Sequence, residues 1–241
     1  MEQFKLLSVQ HEVLWKNNRG DHFGACQYIA MRKASMAIML TVRLGSAFIV
    51  SLLLAFGLYA APDRRDYWIY YSHWSLVLLL FMFLLGANTS LRCLLHQGNA
   101  YDIGCGARWQ WLLFNVACTA NIVSSIVYFV ITFTYKGARK NEVNHVVHTF
   151  NSLLVVVELI NTAVPVRLHH VYQPLAYTVG YGLFAAVYHY FTGHPIYQCL
   201  RWGDAEEMAK VSISFMVLLF IVYMLIYTSS FVKRKCNINY S

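Results

Sequence analysis

Six apolar stretches, separated by short polar segments, organise this chain. Each has about the length that an α-helix needs to cross a bilayer, which is roughly 20 residues. The pattern predicts an all-α, polytopic membrane protein with six transmembrane helices in one bundle. The predicted spans cover residues 44–61, 67–85, 111–133, 144–166, 172–191 and 211–232.

The polar segments predict the rest of the organisation. Residues 1–43 form an N-terminal segment with an interfacial helix over 23–40, the six-helix domain covers 44–232, and a basic tail covers 233–241. The longest connection, residues 86–110, is a predicted loop with several glycines. Six spans place both termini on one side of the membrane, and the excess of Lys and Arg on that side, which includes Arg43 next to the first span, favours the cytoplasm.

Composition supports a membrane location. Apolar residues make up 58% of the chain and charged residues 12%, where soluble domains have about 25% charged residues. The net charge of +8 does not indicate nucleic-acid binding, because the basic residues lie between the apolar stretches and at the ends rather than in one stripe with stacking aromatic residues. We expect contacts with membrane lipids, in the plasma membrane or the endoplasmic reticulum.

The fourth apolar stretch carries polar residues that are costly in hydrocarbon. His145, His148, Asn151 and Glu158 recur at helical steps and form one stripe, which we expect to face the bundle interior. Polar residues inside a membrane often mark function. Glu158 lies about 15 Å along the helix from His148 at 1.5 Å per residue, so we assign it to a buried network with Asn161 or with a group on another span.

Ser72 and His148 are the candidate catalytic pair. Both lie a few residues inside stretches that begin on the outer side, so the pattern predicts a common depth. A hydroxyl next to an imidazole is the minimal nucleophile and base for acyl transfer. The alternative interpretation is structural, with Ser72 bonded to its own helix and His148 in a hydrogen-bond network.

Further histidines gather at the same outer end. His73 follows Ser72, and His189 lies near the end of the fifth stretch, where each either supports the site or has an interfacial role. No cofactor is expected for the Ser72 and His148 pair.

Two other chemistries use the same side chains. Zinc binding would combine His145 and His148 with His189 or His194, because zinc takes imidazole ligands. A haem held between His73 and His148 is a second alternative, because haem iron accepts axial histidine.

Three segments carry a family resemblance. RWQWLLFNVACTANIVSSIVYFVITFTY, NHVVHTFNSLLVVVELI and PVRLHHVYQPLAYTVGYGLFAAVYHYFTGHPIYQCLRW resemble the rolling stone proteins and, more distantly, the androgen-induced and androgen-dependent transmembrane hydrolases. The resemblance runs from Tyr67 to the end of the sixth stretch.

The hydrolase resemblance implies a six-span enzyme that splits fatty acid esters of hydroxy fatty acids, with a threonine nucleophile and a histidine on different helices. The family histidine falls on His148 in the pattern N-H-V-V-H-T. The family threonine falls on Ser72, and Ser75 offers a competing alignment one turn later.

The resemblance implies two functions. One is a membrane-embedded hydrolase of lipid esters near the outer leaflet, whose substrate is a lipid within the bilayer. The other follows the rolling stone branch, which is associated with myoblast fusion, and is a non-enzymatic protein acting in cell fusion. A zinc-dependent lipid hydrolase is a minor alternative.

Overall fold

A computed structural model describes residues 21–29, 31–95, 105–134, 142–197, 200 and 202–236. The described residues form helices joined by short connections and contain no β-strand beyond one isolated bridge between Cys26 and Thr162. The α-helices are α1 Asp21–Gly24, α2 Arg32–Ala60, α3 Tyr71–Leu95, α4 Cys105–Thr134, α5 Glu142–Asn161, α6 Tyr172–Thr192 and α7 Ala205–Cys236. Two 3-10 helices, Asp66–Ile69 and Leu168–Val171, precede α3 and α6.

Five of these helices, α2, α3, α4, α5 and α7, are long and apolar enough to cross a membrane. This confirms the all-α, multi-span class of the prediction. Helix α6 has 21 residues but is not among the five. Six spans and cytoplasmic termini therefore stay predictions.

Several boundaries differ from the sequence prediction. Helix α2 begins at Arg32 rather than near residue 44, so the second half of the predicted interfacial helix over 23–40 is the first part of a long helix. Helix α3 continues to Leu95 through part of the predicted loop 86–110. Arg43 in the first of these segments and Gly86, Ala87, Thr89 and Ser90 in the second are buried in the bundle, although charged and small residues next to an apolar run resemble a membrane boundary in the sequence.

The end of α5 also differs, because the helix stops at Asn161 and residues 163–167 are not helical. Pro165 disfavours helical backbone at the residue before it and so explains the stop. The N-terminal segment pairs with this end, since the Gln27 amide donates to the Asn161 carbonyl at 2.8 Å.

Helix α4 lies at the centre and packs against α3, α5, α6 and α7. Its buried residues include Trp111, whose indole N–H donates to the Pro165 carbonyl at 2.7 Å. Large apolar side chains on α2, α6 and α7 are exposed on the outside of the bundle, as expected for surfaces that face lipid. This arrangement leaves the polar residues of the spans inside, where they must find partners in one another.

Candidate functional site

A buried network of polar side chains connects α3, α4 and α5. The Asn121 amide nitrogen donates to the Ser75 carbonyl at 2.8 Å, and Asn151 donates to the Asn121 side-chain oxygen at 3.1 Å. The Ser125 hydroxyl lies 2.9 Å from the Asn151 side-chain oxygen and 3.4 Å from Nδ1 of His148. We call Asn121, Ser125, His148, Asn151 and the Ser75 carbonyl the His148 network.

His148 is at the end of this network. Its side chain is 6% exposed, and its ring stacks on the Tyr128 ring with centroids 4.3 Å apart. Both His73 and His145 are close enough to interact electrostatically with it. An imidazole in this setting is held in one orientation by its neighbours on α4.

Ser72 is half-buried near the start of α3. Within the described residues its hydroxyl makes no hydrogen bond, and no hydrogen bond joins it to His148. Each of the two residues lies about one helical turn before a residue of the His148 network. Ser72 lies three residues before Ser75, and His148 lies three residues before Asn151, while Asn121 links the Ser75 carbonyl to Asn151 across the bundle.

Ser75, the competing serine, has a different environment. It is fully buried, and its hydroxyl donates to the Tyr71 carbonyl at 2.9 Å and contacts the Tyr177 hydroxyl at 3.3 Å. A serine nucleophile gives its hydroxyl hydrogen to the base. The Ser75 hydrogen is already donated to the Tyr71 carbonyl, whereas the Ser72 hydroxyl makes no hydrogen bond within the described residues.

The other predicted site histidines do not contact His148 through hydrogen bonds. His73 stacks on Tyr67 with ring centroids 3.6 Å apart, and its Nδ1 contacts the Tyr67 carbonyl. His145 is exposed and packs edge-on against Phe129. His189 stacks on Trp202 with centroids 5.3 Å apart.

The zinc alternative is not supported. No group of three His, Cys, Asp or Glu side chains that could hold a metal ion occurs in the part of the chain that the structure describes. His145, His148, His189 and His194 all lie in that part and do not come together. In the haem alternative, His73 and His148 would face a haem from its two sides. In the structure the ring of each histidine stacks on a tyrosine ring instead.

A group of tyrosines lies beside the His148 network between α3 and α6. The Tyr71 and Thr178 hydroxyls are 3.1 Å apart, and the Tyr71 amide donates to the Tyr197 hydroxyl at 3.0 Å. The Tyr181 hydroxyl donates to the Ile69 carbonyl at 2.7 Å. Burial raises the pKa of Tyr197, which lies in the segment after α6, so this phenol stays neutral and joins that segment to the start of α3.

A second buried network surrounds Arg43 on α2. Its Nη2 and Nε lie 2.7 and 3.0 Å from Oε1 of Glu158, and both side chains are almost completely buried. The guanidinium also donates to four oxygens on three other segments. These are the carbonyls of Phe23 and Gly86 and the hydroxyls of Ser90 and Thr162, and together with Arg43 and Glu158 they form the Arg43 network.

Sequence reasoning missed Arg43, Ser125 and Asn121 as site residues. Arg43 sits just before the predicted first span and was interpreted as a topology charge. Asn121 and Ser125 are one helical turn apart within the third apolar stretch, and this spacing was the available signal. Glu158 joins a group on another span, one of the two arrangements expected for it.

The fold and these networks define the class of protein. A bundle with five membrane-length apolar helices and polar side chains turned inward is an integral membrane protein.

The comparisons identify the family. Residues 67–241 match the family described as protein rolling stone. Protein rolling stone of Drosophila melanogaster is 22% identical over 189 residues, which cover 71% of this chain and 69% of that protein. This chain belongs to the rolling stone family, as the resemblance predicted. No solved structure matches it.

Proposed function

We propose that this protein is a membrane-embedded hydrolase of lipid esters, with His148 as general base and Ser72 as nucleophile. The observation that carries the proposal is the His148 network, which holds a buried imidazole on a membrane-length helix. The substrate class follows from the hydrolase resemblance and is a fatty acid ester of a hydroxy fatty acid. The ester reaches the site from the bilayer.

The reaction follows from the chemistry of the two groups. Ser72 attacks the ester carbonyl carbon while His148 takes the hydroxyl proton, which is then given to the leaving alkoxide. Water, activated by the same imidazole, hydrolyses the acyl-serine. The absence of a Ser72 to His148 hydrogen bond in the described residues is compatible with this route, because catalytic hydrogen bonds often tighten only when substrate is bound.

Turnover by the purified full chain in lipid nanodiscs tests the proposal. We expect Ser72→Ala and His148→Ala each to lower kcat/KM about 1,000-fold or more, the size typical of losing a member of a nucleophile and base pair. Ser51→Ala is the matched control, because Ser51 bonds only to its own helix and lies outside the site. A fluorophosphonate probe should label the wild type but not Ser72→Ala.

Ser75→Ala separates the two serines. If Ser75→Ala loses labelling and Ser72→Ala keeps it, the nucleophile is Ser75 rather than Ser72. Full turnover in both Ser72→Ala and His148→Ala would reject the pair.

We also propose that α6 is the sixth span. Its outward face carries the exposed apolar residues Val179, Leu183 and Val187, and the exposed Tyr172 and Tyr190 lie near its two ends. Aromatic residues at both ends of an apolar face are typical of membrane boundaries. A cysteine at Leu183 should resist a membrane-impermeant maleimide, whereas one at His194 should react from one side of the membrane. Rapid labelling at both positions would contradict the span.

A second candidate function is a non-enzymatic role in cell fusion. It is favoured by membership of the rolling stone family rather than of a hydrolase family. A cell-fusion assay with the Ser72→Ala/His148→Ala double variant separates the functions. Fusion at the wild-type level with turnover abolished would make catalysis dispensable for that role.

A further inference from the structure

The His148 network contains a directional chain of hydrogen bonds that begins at two backbone carbonyls. The Asn121 amide nitrogen lies 2.8 Å from the Ser75 carbonyl and 2.9 Å from the Ala117 carbonyl. A carbonyl only accepts hydrogen bonds, so both amide hydrogens of Asn121 are used there. The side-chain oxygen of Asn121 must then face away from these carbonyls.

This oxygen sets the orientation of the next amide. It accepts from the Asn151 amide nitrogen at 3.1 Å, so the side-chain oxygen of Asn151 faces Ser125. Ser125 lies 2.9 Å from that oxygen, and Ser152 contacts it at 3.2 Å. The orientation of both asparagines thus follows from their neighbours, which is the sound basis for assigning amide nitrogen and oxygen.

The Ser125 hydroxyl determines which nitrogen of His148 carries the proton. Its hydroxyl has one hydrogen, and both oxygens within 3.0 Å, the Asn151 side-chain oxygen and the His148 carbonyl, are pure acceptors. Whichever of them takes the hydrogen, Ser125 presents a lone pair to Nδ1 of His148, 3.4 Å away. Because the two oxygens lie closer to the Ser125 hydroxyl than Nδ1 does, the geometry favours Nδ1 as the nitrogen that carries the proton.

We propose that Ser125, oriented by Asn151 and Asn121, is a positioning residue that holds His148 in its Nδ1–H tautomer and leaves Nε2 as the bare nitrogen. Nε2 is then the atom that takes a proton from the nucleophile, and this use of it rests on the proposed hydrolase function. In other hydrolytic sites, a hydrogen-bond acceptor at Nδ1 of the histidine fixes the tautomer and the orientation of the ring. Ser125 is the corresponding acceptor here. A neutral hydroxyl does this without placing a charge in the bundle.

The tautomer is measured directly by nitrogen-15 NMR of the full chain, labelled with [¹⁵N]histidine, in lipid nanodiscs at neutral pH. The His148→Gln variant assigns the His148 signals by their disappearance. We expect a protonated Nδ1 and an unprotonated Nε2 in the wild type. A protonated Nε2 would overturn the proposal, and this measurement needs no variant of Ser125 to fold.

Variants of two adjacent serines sharpen the test. Ser125→Ala should let the Nε2–H tautomer appear, while Ser124→Ala, which removes a neighbouring buried hydroxyl, should leave the Nδ1–H tautomer unchanged. In hydrolysis assays Ser125→Ala should lower kcat about 10- to 100-fold, the loss seen when a group that orients a metal-binding histidine is removed. KM should stay unchanged, and Ser125→Thr, which keeps the hydroxyl, should restore most of the rate.

The two proposals fail separately. If the wild type shows the Nδ1–H tautomer but hydrolyses no ester, the hydrolase function is rejected and the tautomer assignment stands. If it hydrolyses esters with a protonated Nε2, or if Ser125→Ala and Ser124→Ala give the same tautomer, the role of Ser125 is rejected.

Discussion

The Arg43 network and the His148 network are both buried between membrane-length helices, yet they differ in charge and in how they end. The first is a charged hub in which one guanidinium reaches several separate segments. The second is a neutral chain that runs in one direction and ends at an imidazole. A hub surrounded by its own partners stabilises the bundle, whereas a chain that ends at an imidazole fits the role proposed for His148.

The two networks should respond differently to substitutions, because one contains buried charges and the other contains only neutral groups. A buried charge that loses its counter-charge costs several kcal/mol, whereas a neutral group that loses a hydrogen bond costs about 1–3 kcal/mol. Loss of stability should therefore be larger in the Arg43 network. Loss of activity should be larger in the His148 network.

Arg43→Met should have the largest effect on stability. It leaves the Glu158 carboxylate buried without its partner, at a cost of about 3–5 kcal/mol, measured as a lower Tm of the purified protein in detergent. The double variant Arg43→Met/Glu158→Leu should recover much of this loss, because it removes both charges. A double variant as unstable as the single one would show that the ion pair is not the source of the effect.

Asn151→Leu should have a smaller effect on stability. It leaves the Asn121 side-chain oxygen without its donor and removes one of the two acceptor oxygens of the Ser125 hydroxyl, at about 1–3 kcal/mol. It should also reduce turnover, because Ser125 loses one of the contacts that hold it beside His148. Combining it with Asn121→Leu should cost less than the sum of the two single variants, since both belong to one network. Strict additivity would contradict the directional chain.

Gly86→Ala should have a modest effect, about 1 kcal/mol, at the low end for overpacking a core. A Cβ at this position would lie 3.0 Å from Cδ and Nε of Arg43 and would displace the guanidinium. Gly180→Ala is the matched control, because a Cβ there meets nothing within 4 Å. Equal Tm values for the two variants would show that the close approach of Arg43 to α3 is unimportant.

His170 should give the smallest effect at neutral pH, where the imidazole is mostly neutral in both the folded and the unfolded state, and its effect should grow as the pH falls. Burial, with the nearby Arg167 and His169, lowers the pKa of His170 to about 4, while the unfolded chain keeps a value of about 6.5. Between these values the unfolded state binds more protons, so stability should fall as the pH falls from about 6.5 to 4. His170→Gln should flatten this part of the Tm profile, and an unchanged slope would exclude His170 as its source.

The sequence predicted the residues of the two networks to different extents. The stripe through His145, His148, Asn151 and Glu158 is visible in the sequence as helical spacing in an apolar stretch. His148, Asn151 and Glu158 are buried in the bundle, but the prediction is wrong for His145, which is exposed near the start of α5. Arg43 was assigned to the membrane boundary, because an arginine next to an apolar run normally marks one. Its helix in fact begins eleven residues earlier, at Arg32, which places the guanidinium inside the bundle.

Ser125 shows the same limit within the candidate site. A serine among apolar residues most often bonds to its own helix, and nothing in the spacing along α4 names a partner on α5. The pairing of Ser72 with His148 stays a prediction, because depth along two helices does not fix the distance between them.

The sequence by itself determined that this protein is a bundle of apolar helices of the rolling stone family. An apolar run of membrane length must satisfy its backbone internally, and the helix is the solution for a single segment. The tertiary structure alone decided which polar side chains meet. Arg43 and Glu158 are 115 residues apart in the chain, and only helix packing brings them together. The direction of the His148 network likewise comes from carbonyls on α3 and α4, which no pattern within α5 reveals.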